Sequence, residues 1–234
     1  MGKRIIQQAR GKGSLTYRVR KQAYNKKIAY PLQGEQTEAE IISIVHSAAH
    51  SAPLMKVKYQ NKTFYNAAFN GAFVGQKISF GQGNPEKGST LPIGKIPQGT
   101  EVYNIERNPG DGGKMTRTAG SAAAITKHLE NKKVTITMPN KKVITLNGEC
   151  RATIGRIAGE GRILKPFVKA GKKHYKMKAR NKLWPRTSAI KFNAVDHPFG
   201  SGRGKRIKQK IAKRNAPPGA KVGHVRPRRT GYRG

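Results

Sequence analysis

The chain has 234 residues, enough for one large domain or two small ones. It carries 48 Lys and Arg residues against 11 Asp and Glu residues, a formal net charge of +37. A charge of this size opposes folding unless a polyanion neutralises it, and it far exceeds what solubility requires. Nucleic acid is therefore the expected partner. A membrane surface is disfavoured because the sequence has no long apolar run and no strongly amphipathic basic helix.

The single cysteine, Cys150, excludes an intrachain disulfide and a cysteine-rich zinc site. It also fits a reducing compartment. The N-terminal sequence MGKRIIQQARGKG has a basic start but lacks an apolar core of signal-peptide length. We therefore expect no secretion and a cytoplasmic location.

The charges divide the chain into three regions. Residues 1–34 contain no acid, ten of the 11 acids lie from Glu35 to Glu160, and Asp196 is the only later one. Cations this dense predict basic ends that are extended or disordered alone and become ordered on a phosphate backbone. The N-terminal tyrosines Tyr17, Tyr24 and Tyr30 are candidates for stacking on unpaired bases. The middle is expected to fold like an ordinary globular protein.

Short strands fill the middle region. Residues 39–47, 74–81, 101–107 and 150–157 are predicted strands, and residues 53–69 and 132–147 are predicted hairpins. The hairpin turns are expected around Gln60-Asn61-Lys62 and Pro139-Asn140, and Gly81–Gly99 is interpreted as a linker. Short strands at this spacing favour two small barrels over one sandwich. A short helix is predicted over residues 207–214.

This division gives a mainly β fold with two small barrels between long basic extensions. The predicted boundaries are residues 1–36 for the basic N-terminal extension, 37–84 for the first barrel, 85–160 for the second barrel and 161–234 for a basic, loop-rich C-terminal extension. Small strand-rich barrels commonly present their faces and loops to oligonucleotides.

Two stretches combine glycines with cations. The first is Asn108–Ile125, and the second is Phe192–Arg206. Glycine permits backbone conformations closed to other residues and a close approach to a partner, while the cations supply charge at the same place. A flexible interdomain loop is the alternative interpretation of the first stretch. The glycines expected to set the loop geometry are Gly112, Gly113, Gly120, Gly200, Gly202 and Gly204.

No catalytic or nucleotide-binding motif in the sequence has all the required residues at the required spacing. The segment Gly88–Ile96 has one residue too many for a phosphate-binding loop and ends in Ile96. His46 and His50 have metalloprotease spacing, but the required glutamate is absent. Asp196 and His197 are adjacent, so they point to opposite sides of an extended segment, and no nucleophile motif accompanies them. We assign no catalytic residue, no metal ligand and no small-molecule substrate, with a hydrolase built on Asp196 and His197 as the enzyme alternative.

Four motifs carry a resemblance to a known family. They are HSAAHSAPL at His46–Leu54, GGKMTRTAGSAAAI at Gly112–Ile125, ECRATIG at Glu149–Gly155 and NAVDHPFGSGRG at Asn193–Gly204. Their order and spacing run over nearly the whole chain. The sequence resembles the universal second protein family of the large ribosomal subunit, often called ribosomal protein L-two, in its archaeal or eukaryotic form.

The resemblance implies an oligonucleotide-binding-type barrel followed by an SH3-like barrel, with basic tails that thread into large-subunit rRNA. It also implies a place near the peptidyl-transferase centre and the subunit interface, with the loop at His197 reaching toward that centre. The implied partners are large-subunit rRNA and other ribosomal proteins, with small-subunit rRNA and tRNA as further candidates. The peptide-bond chemistry belongs to RNA, so the implied role is structural. No cofactor is expected, and the sequence leaves open whether Mg²⁺ bridges the tails to rRNA.

The expected RNA contacts are mostly cations, joined by one tryptophan and one histidine. They are Lys3, Arg4, Arg10, Lys12, Arg18, Arg20, Lys114, Arg117, Arg151, Lys172, Trp184, Arg186, His197, Arg203, Lys205, Arg206, Arg226, Arg228 and Arg229. The alternative function is a free translation or transcription factor that uses the same barrels on single-stranded RNA.

Overall fold

The computed structural model of the protein describes residues 2–19, 21–32, 38–200 and 211–227. The chain divides into two compact units. The β unit is Lys21–Val168, and the tail unit combines Met1–Arg20 with Lys169–Gly234. No helix in the described part of the chain is long and apolar enough to cross a membrane.

The first sheet of the β unit is antiparallel and has four strands. They are β1 (Glu38–Val45), β2 (Leu54–Tyr59), β3 (Lys62–Ala67) and β4 (Lys77–Ser79), in the order β3-β2-β1-β4. Tyr59 pairs with Lys62, so the hairpin turns on two residues, and Gln60 takes a φ of 53° to close it. This confirms the first predicted hairpin.

The second sheet is also antiparallel and has six strands. They are β5 (Thr90–Pro92), β6 (Glu101–Tyr103), β7 (Ala123–His128), β8 (Lys133–Thr137), β9 (Val143–Asn147) and β10 (Arg151–Ile154), in the order β5-β10-β6-β7-β8-β9. The β8–β9 hairpin confirms the second predicted hairpin. Its turn is held by Asn140, whose side-chain oxygen accepts the Lys142 N–H at 3.1 Å.

The predicted mainly β architecture is confirmed, and two antiparallel sheets stand where two small barrels were predicted. Each sheet covers its own apolar cluster, one around Leu54, Val57 and Phe80 and the other around Ile125 and Ile136. The two sheets are consistent with barrel-like domains, although neither sheet closes on itself. The first cluster also takes in Tyr103, Ala119 and Ile157 from later in the chain and Ile28 and Tyr30 from before β1.

The interpretation of Gly81–Gly99 as a linker is wrong. This stretch contains β5 and a 3-10 turn at Ile93–Lys95, and Leu91, Ile93 and Ile96 are fully buried in the second cluster. Burial of three large apolar side chains outweighs the local preference of the surrounding Gly and Pro residues for turns.

The structure contradicts the alternative interpretation of Asn108–Ile125 as a flexible interdomain loop, because the end of this stretch belongs to β7. Ala123 and Ile125 begin β7 and alternate inward, where both are buried. Their small neighbours suit a strand that pairs with both β6 and β8. The alternation of Ala and Ile was the signal for this strand, and the surrounding glycines and alanines obscured it.

Two α-helices lie in the described part of the tail unit, α1 (Ile6–Gly11) and α2 (Ala170–Ala179). The sequence interpretation treated both regions as extended or loop-rich. Lysine, methionine and alanine favour α2 locally, and Lys176 and Lys178 in its last turn suit the helix dipole. Of the predicted helix over residues 207–214, residues 207–210 lie outside the described residues, and Ala212 forms a bridge with Val225 rather than a helical turn.

Candidate nucleic-acid interface

A four-residue strap, residues 28–31, lies along the β unit ahead of the first sheet. Ile28 forms a parallel bridge with Tyr65 of β3, and the Ala29 N–H donates to the Tyr65 carbonyl at 3.3 Å. On its other side, the Tyr30 N–H donates to the Gly112 carbonyl at 3.0 Å. Residues 28–31 of the N-terminal basic segment are therefore held in the folded β unit by backbone hydrogen bonds.

Tyr30 is buried, which contradicts its expected stacking on RNA bases. Its hydroxyl is 2.6 Å from the Thr153 hydroxyl, and its ring packs edge-on against Phe80. Burial raises the pKa of Tyr30 far above its usual value, with the Thr153 hydrogen bond opposing this shift. Tyr24 stays about half exposed and packs edge-on against His50.

Arg151 is buried in an ion pair with Glu106. The Nη2–Oε1 distance is 2.8 Å, and the exposed fractions of the two side chains are 7% and 0%. The guanidinium also lies over the Tyr30 and Phe80 rings and donates to the Pro31 carbonyl at 2.7 Å. Arg151 thus fastens the strap to β10, and it does not lie on the surface where we expected an RNA contact.

The glycine loop, residues 107–120, is held from inside by Asp111. Its carboxylate accepts the N–H groups of Arg107 and Gly113, each at 3.0 Å. Partial burial raises the pKa of Asp111, but these backbone N–H groups and the Lys114 ammonium at 3.8 Å together hold it below the usual value. A Cβ on Gly120 would lie 2.5 Å from the Glu160 Cα, so this glycine approaches the protein's own backbone.

The Arg117 side chain extends from the same loop and is itself half-buried. Its guanidinium donates to the Gly113 carbonyl at 3.2 Å and to the Ile28 carbonyl at 2.9 Å. Burial lowers the pKa of Arg117, yet an arginine side chain remains charged at neutral pH. Arg117 therefore joins the glycine loop to the strap and carries its positive charge at that junction.

In the tail unit, the loop at His197 is a compact turn. The N–H groups of Asp196 and His197 both donate to the Asn193 carbonyl, at 3.0 and 3.2 Å. The Gly200 N–H then donates to the His197 carbonyl at 2.9 Å. A Cβ on Gly200 would lie 2.3 Å from the Phe192 carbonyl oxygen, so only glycine fits at this position.

The His197 ring has a defined orientation. Its Nδ1 accepts the Phe199 N–H at 3.0 Å, so the neutral ring carries its proton on Nε2. The ring stacks on Phe192 and meets Phe199 edge-on. A catalytic dyad would use Nδ1–H to donate to a carboxylate, which is the opposite arrangement.

Two clefts border this loop within the tail unit. The larger, about 740 Å³, has Lys3, Arg4 and Lys12 on its walls together with His197. The smaller, about 340 Å³, is lined by Arg4, Arg186 and His197 among others. The smaller cleft thus brings together Arg4 and Arg186, which are 182 positions apart in the sequence.

The remaining described candidates are Trp184, which is half-buried, and nine exposed cations. The Lys173 Nζ lies over the Trp184 ring, 5.4 Å from its centroid, which is a cation–π contact. The Arg18 carbonyl accepts from the Asn181 side chain, and the Arg226 N–H donates to the Ala212 carbonyl. Each of the following expected cations is exposed: Lys3, Arg4, Arg10, Lys12, Arg18, Lys114, Lys172, Arg186 and Arg226.

Several of the expected RNA contacts, and two of the glycines expected to set loop geometry, lie outside the described residues. They are Arg20, Gly202, Arg203, Gly204, Lys205, Arg206, Arg228 and Arg229.

Charge is balanced differently in the two units. All ion pairs among the described residues lie in the β unit. In the described part of the tail unit, Asp196 is the only acid. Within the same described ranges, no group of three or more His, Cys, Asp or Glu side chains is placed to hold a metal ion.

The fold and this charge distribution define a basic, mainly β protein of the nucleic-acid-binding class. Residues 86–219 match the family model of the C-terminal domain of ribosomal proteins L2. The chain is 44% identical over 238 residues to the large ribosomal subunit protein uL2 of Methanococcoides burtonii, with 100% of both chains covered. It is also 44% identical over 237 residues to the uL2 protein of Hyperthermus butylicus, covering 100% of this chain and 99% of that one. The chain belongs to the ribosomal protein L2 family of the large subunit.

Proposed function

We propose that the protein binds and organises large-subunit rRNA near the peptidyl-transferase centre and the subunit interface, and so supports subunit association and translation. Membership of a large-subunit ribosomal family supports the structural role on the ribosome. Its partners are large-subunit rRNA and neighbouring ribosomal proteins, with small-subunit rRNA and tRNA as candidates at the interface. The protein acts on the ribosome in the cytoplasm. No catalytic residue and no cofactor is assigned.

The unbalanced charge of the tail unit carries this proposal. Helix α2 buries no residue, and its described neighbours in the tail unit include a single acid, Asp196. Phosphate groups would neutralise the exposed cations of this unit, such as Lys172 and Arg186, and release the counterions that these cations hold in free solution. The tail unit is therefore suited to a polyanion such as rRNA.

The proposed contacts are the exposed cations of both units together with Trp184 and His197. Because Nδ1 of His197 accepts a backbone N–H, Nε2–H is the one ring donor that remains for a ligand. We assign this N–H to an acceptor on RNA. From outside the described residues, the cations Arg20, Arg203, Lys205, Arg206, Arg228 and Arg229 complete the proposed set.

Sedimentation of the endogenous chain tests the function directly. A lysate of the source cells is run on a density gradient at high salt, and the chain is quantified against rRNA. Co-migration with the large subunit at near one copy each is the expected result. Recovery of most of the chain near the top of the gradient would favour a free single-stranded-RNA-binding factor instead.

The loop after Gly200 is tested by the salt dependence of rRNA binding. Each phosphate contact contributes roughly 0.7–0.9 to the slope of log K against log salt. In the double variant Arg203→Ala/Lys205→Ala, this slope should fall by roughly 0.7–0.9 for each phosphate contact that is removed. The charge-preserving variant Arg203→Lys/Lys205→Arg is the control and should keep most of the slope. An unchanged slope in the alanine variant would remove both residues from the phosphate-binding set.

A further inference from the structure

Two Asn-Gly pairs occur in the sequence, Asn70-Gly71 and Asn147-Gly148. Asparagine before glycine is chemically labile, because the glycine nitrogen can reach the side-chain amide with no Cβ in its way. The attack forms a bond between the glycine nitrogen and the asparagine Cγ. The amide nitrogen leaves as ammonia and takes the glycine N–H proton with it. Water then opens the resulting succinimide at either carbonyl, which leaves aspartate or isoaspartate.

The fold holds the Asn147-Gly148 pair at the end of β9. The Gly148 N–H donates to the Lys132 carbonyl at 2.8 Å, so the nitrogen that would attack is committed to a hydrogen bond. The Asn147 side-chain oxygen accepts the Glu149 N–H at 3.1 Å, which fixes the amide group as well. A Cβ on Gly148 would lie 2.8 Å from the same Lys132 carbonyl oxygen, so the backbone is closely packed here. Both reacting groups of this pair are therefore held.

The Asn70-Gly71 pair forms the centre of a tight turn between β3 and β4. The Ala72 N–H donates to the Phe69 carbonyl at 3.2 Å, and Gly71 has a φ of +94°, as the third residue of a type II turn requires. Among the described residues, neither the Gly71 N–H nor the Asn70 side chain makes a hydrogen bond. Both residues are exposed, and no atom lies within 4 Å of the Cβ position of Gly71. Neither reacting group of this pair is held.

We propose that Asn70 is a site of spontaneous deamidation in the folded protein, which yields isoaspartate or aspartate at position 70, and that the fold protects Asn147 from the same reaction. Water is the only co-reactant. The modification is independent of RNA binding, because it depends on the hydrogen bonds and exposure of the chain itself.

The modification would change how the turn is attached to the β unit. The Asn70 N–H donates to the Arg156 carbonyl at 2.9 Å. Its neighbour Phe69 is buried and forms an antiparallel bridge with Ile157. Isoaspartate routes the main chain through the side-chain methylene and so adds one carbon to the backbone at this attachment. We therefore expect the modified chain to unfold at a lower temperature than the fresh chain.

Mass spectrometry of the full chain tests the proposal. The chain is incubated in a mildly alkaline buffer, both folded and in concentrated urea, and samples are digested with trypsin over time. The two asparagines fall in different tryptic peptides, residues 63–77 and 143–151, and fragment spectra separate Asn70 from Asn66 in the first. Transfer of labelled methyl groups by a protein-isoaspartate methyltransferase identifies the isoaspartate product.

In the folded chain, Asn70 is expected to convert faster than Asn147 by roughly tenfold or more, because attack by Gly148 first requires local opening of β9. In urea the two rates should become similar. Conversion of Asn70 that is much slower in the folded chain than in urea would overturn the proposed site. Slow conversion of Asn147 in urea would assign its protection to neighbouring residues in the sequence and overturn the role of the fold.

The variant Asn70→Gln assigns the product, because glutamine closes a less favourable six-membered ring and should deamidate far more slowly. Asn147→Gln is the matched control and should leave the deamidated fraction of the folded chain unchanged. After incubation, the melting temperature should fall in the unmodified chain and stay constant in Asn70→Gln. An equal fall in both would show that another change destabilises the aged chain and would overturn the structural effect assigned to position 70.

Discussion

Gly113 lies against Asn104 with no space for a side chain between them. A Cβ on Gly113 would be 2.5 Å from the Asn104 carbonyl oxygen and 2.6 Å from its side-chain oxygen. Asn104 is fully buried, and its side-chain N–H donates to Asn66 at 3.0 Å. The close approach that this glycine permits is therefore to the protein's own interior, where it sets the path of the glycine loop toward Arg117.

Gly113→Ala is expected to destabilise the protein more than Gly110→Ala. Both glycines have a similar positive φ, +85° and +81°, so alanine has about the same backbone cost at each, on the order of 1 kcal/mol. Gly110 has open space at its Cβ position, whereas Gly113 meets a buried backbone. Overpacking should add about 1–3 kcal/mol at Gly113. Urea unfolding of the full chain measures both losses, and equal losses would contradict the assigned packing.

Glu106→Gln is expected to cost about 3–5 kcal/mol of unfolding free energy, because it leaves the buried Arg151 guanidinium without its counter-charge. The strap should loosen at the same time, since Arg151 also donates to the Pro31 carbonyl. Lys77→Gln is the matched control. It removes a cation from the exposed pair with Glu38, 3.7 Å apart, where solvent screens the interaction. Urea unfolding should show little change in the control. A similarly small loss of unfolding free energy in Glu106→Gln would show that the buried ion pair does not stabilise the fold.

Local sequence patterns were sufficient for most of the strands. Alternation of apolar and polar residues in β2, β3, β8 and β9 coincides with two short turns, so local preference and burial agree there. They disagree in the segment around Leu91 and Ile93, where tertiary burial overrides a run rich in glycine and proline. The helix α2 was missed for a related reason, because its lysines indicated a solvated tail more strongly than a helix.

The candidate interface was predictable in charge but not in placement. Composition indicated that the two ends bind a polyanion, and the described tail unit indeed has a single acid. The sequence alone does not distinguish Arg151 from Arg117, because both follow glycine-rich or polar segments. The three-dimensional position of Glu106 separates them, since it pairs with Arg151, whereas Arg117 has no ion pair with another described residue. The sequence likewise favoured Tyr30 as a residue that stacks on bases, whereas its hydroxyl lies in the interior, 2.6 Å from the Thr153 hydroxyl.

Gly200→Ala is expected to distort the loop at His197. A Cβ there would meet the carbonyl oxygens of Phe192 and Asn193 at 2.3 and 2.4 Å, and neither backbone atom can yield without opening the turn. Incorporation into large subunits should fall, as measured by co-sedimentation of a tagged copy in the source cells. Gly171→Ala in α2 is the control, because no atom lies within 4 Å of its Cβ position and alanine favours a helix. Equal incorporation of the two variants would show that the turn geometry is not needed for assembly.

The final prediction concerns pH. Burial raises the pKa of the Cys150 thiol to about 11, and the nearby carboxylate of Glu106 adds to this shift. The folded state thus favours the protonated thiol, whereas the unfolded chain ionises near the usual cysteine value of about 8.5. The contribution of this thiol to stability is therefore complete below that value and is lost as the pH rises toward about 11.

The variant Cys150→Ala isolates this contribution from the titration of lysines and tyrosines. The difference in unfolding free energy between the unmodified chain and the variant should be constant from pH 6 to about 8 and then shrink as the pH rises. Urea unfolding at a series of pH values measures it. Labelling by iodoacetamide at pH 8 gives an independent check, because a pKa of about 11 in place of about 8.5 lowers the thiolate fraction roughly two hundredfold. A difference that grows with pH, or rapid labelling of the folded chain, would show that Cys150 is not buried as a protonated thiol.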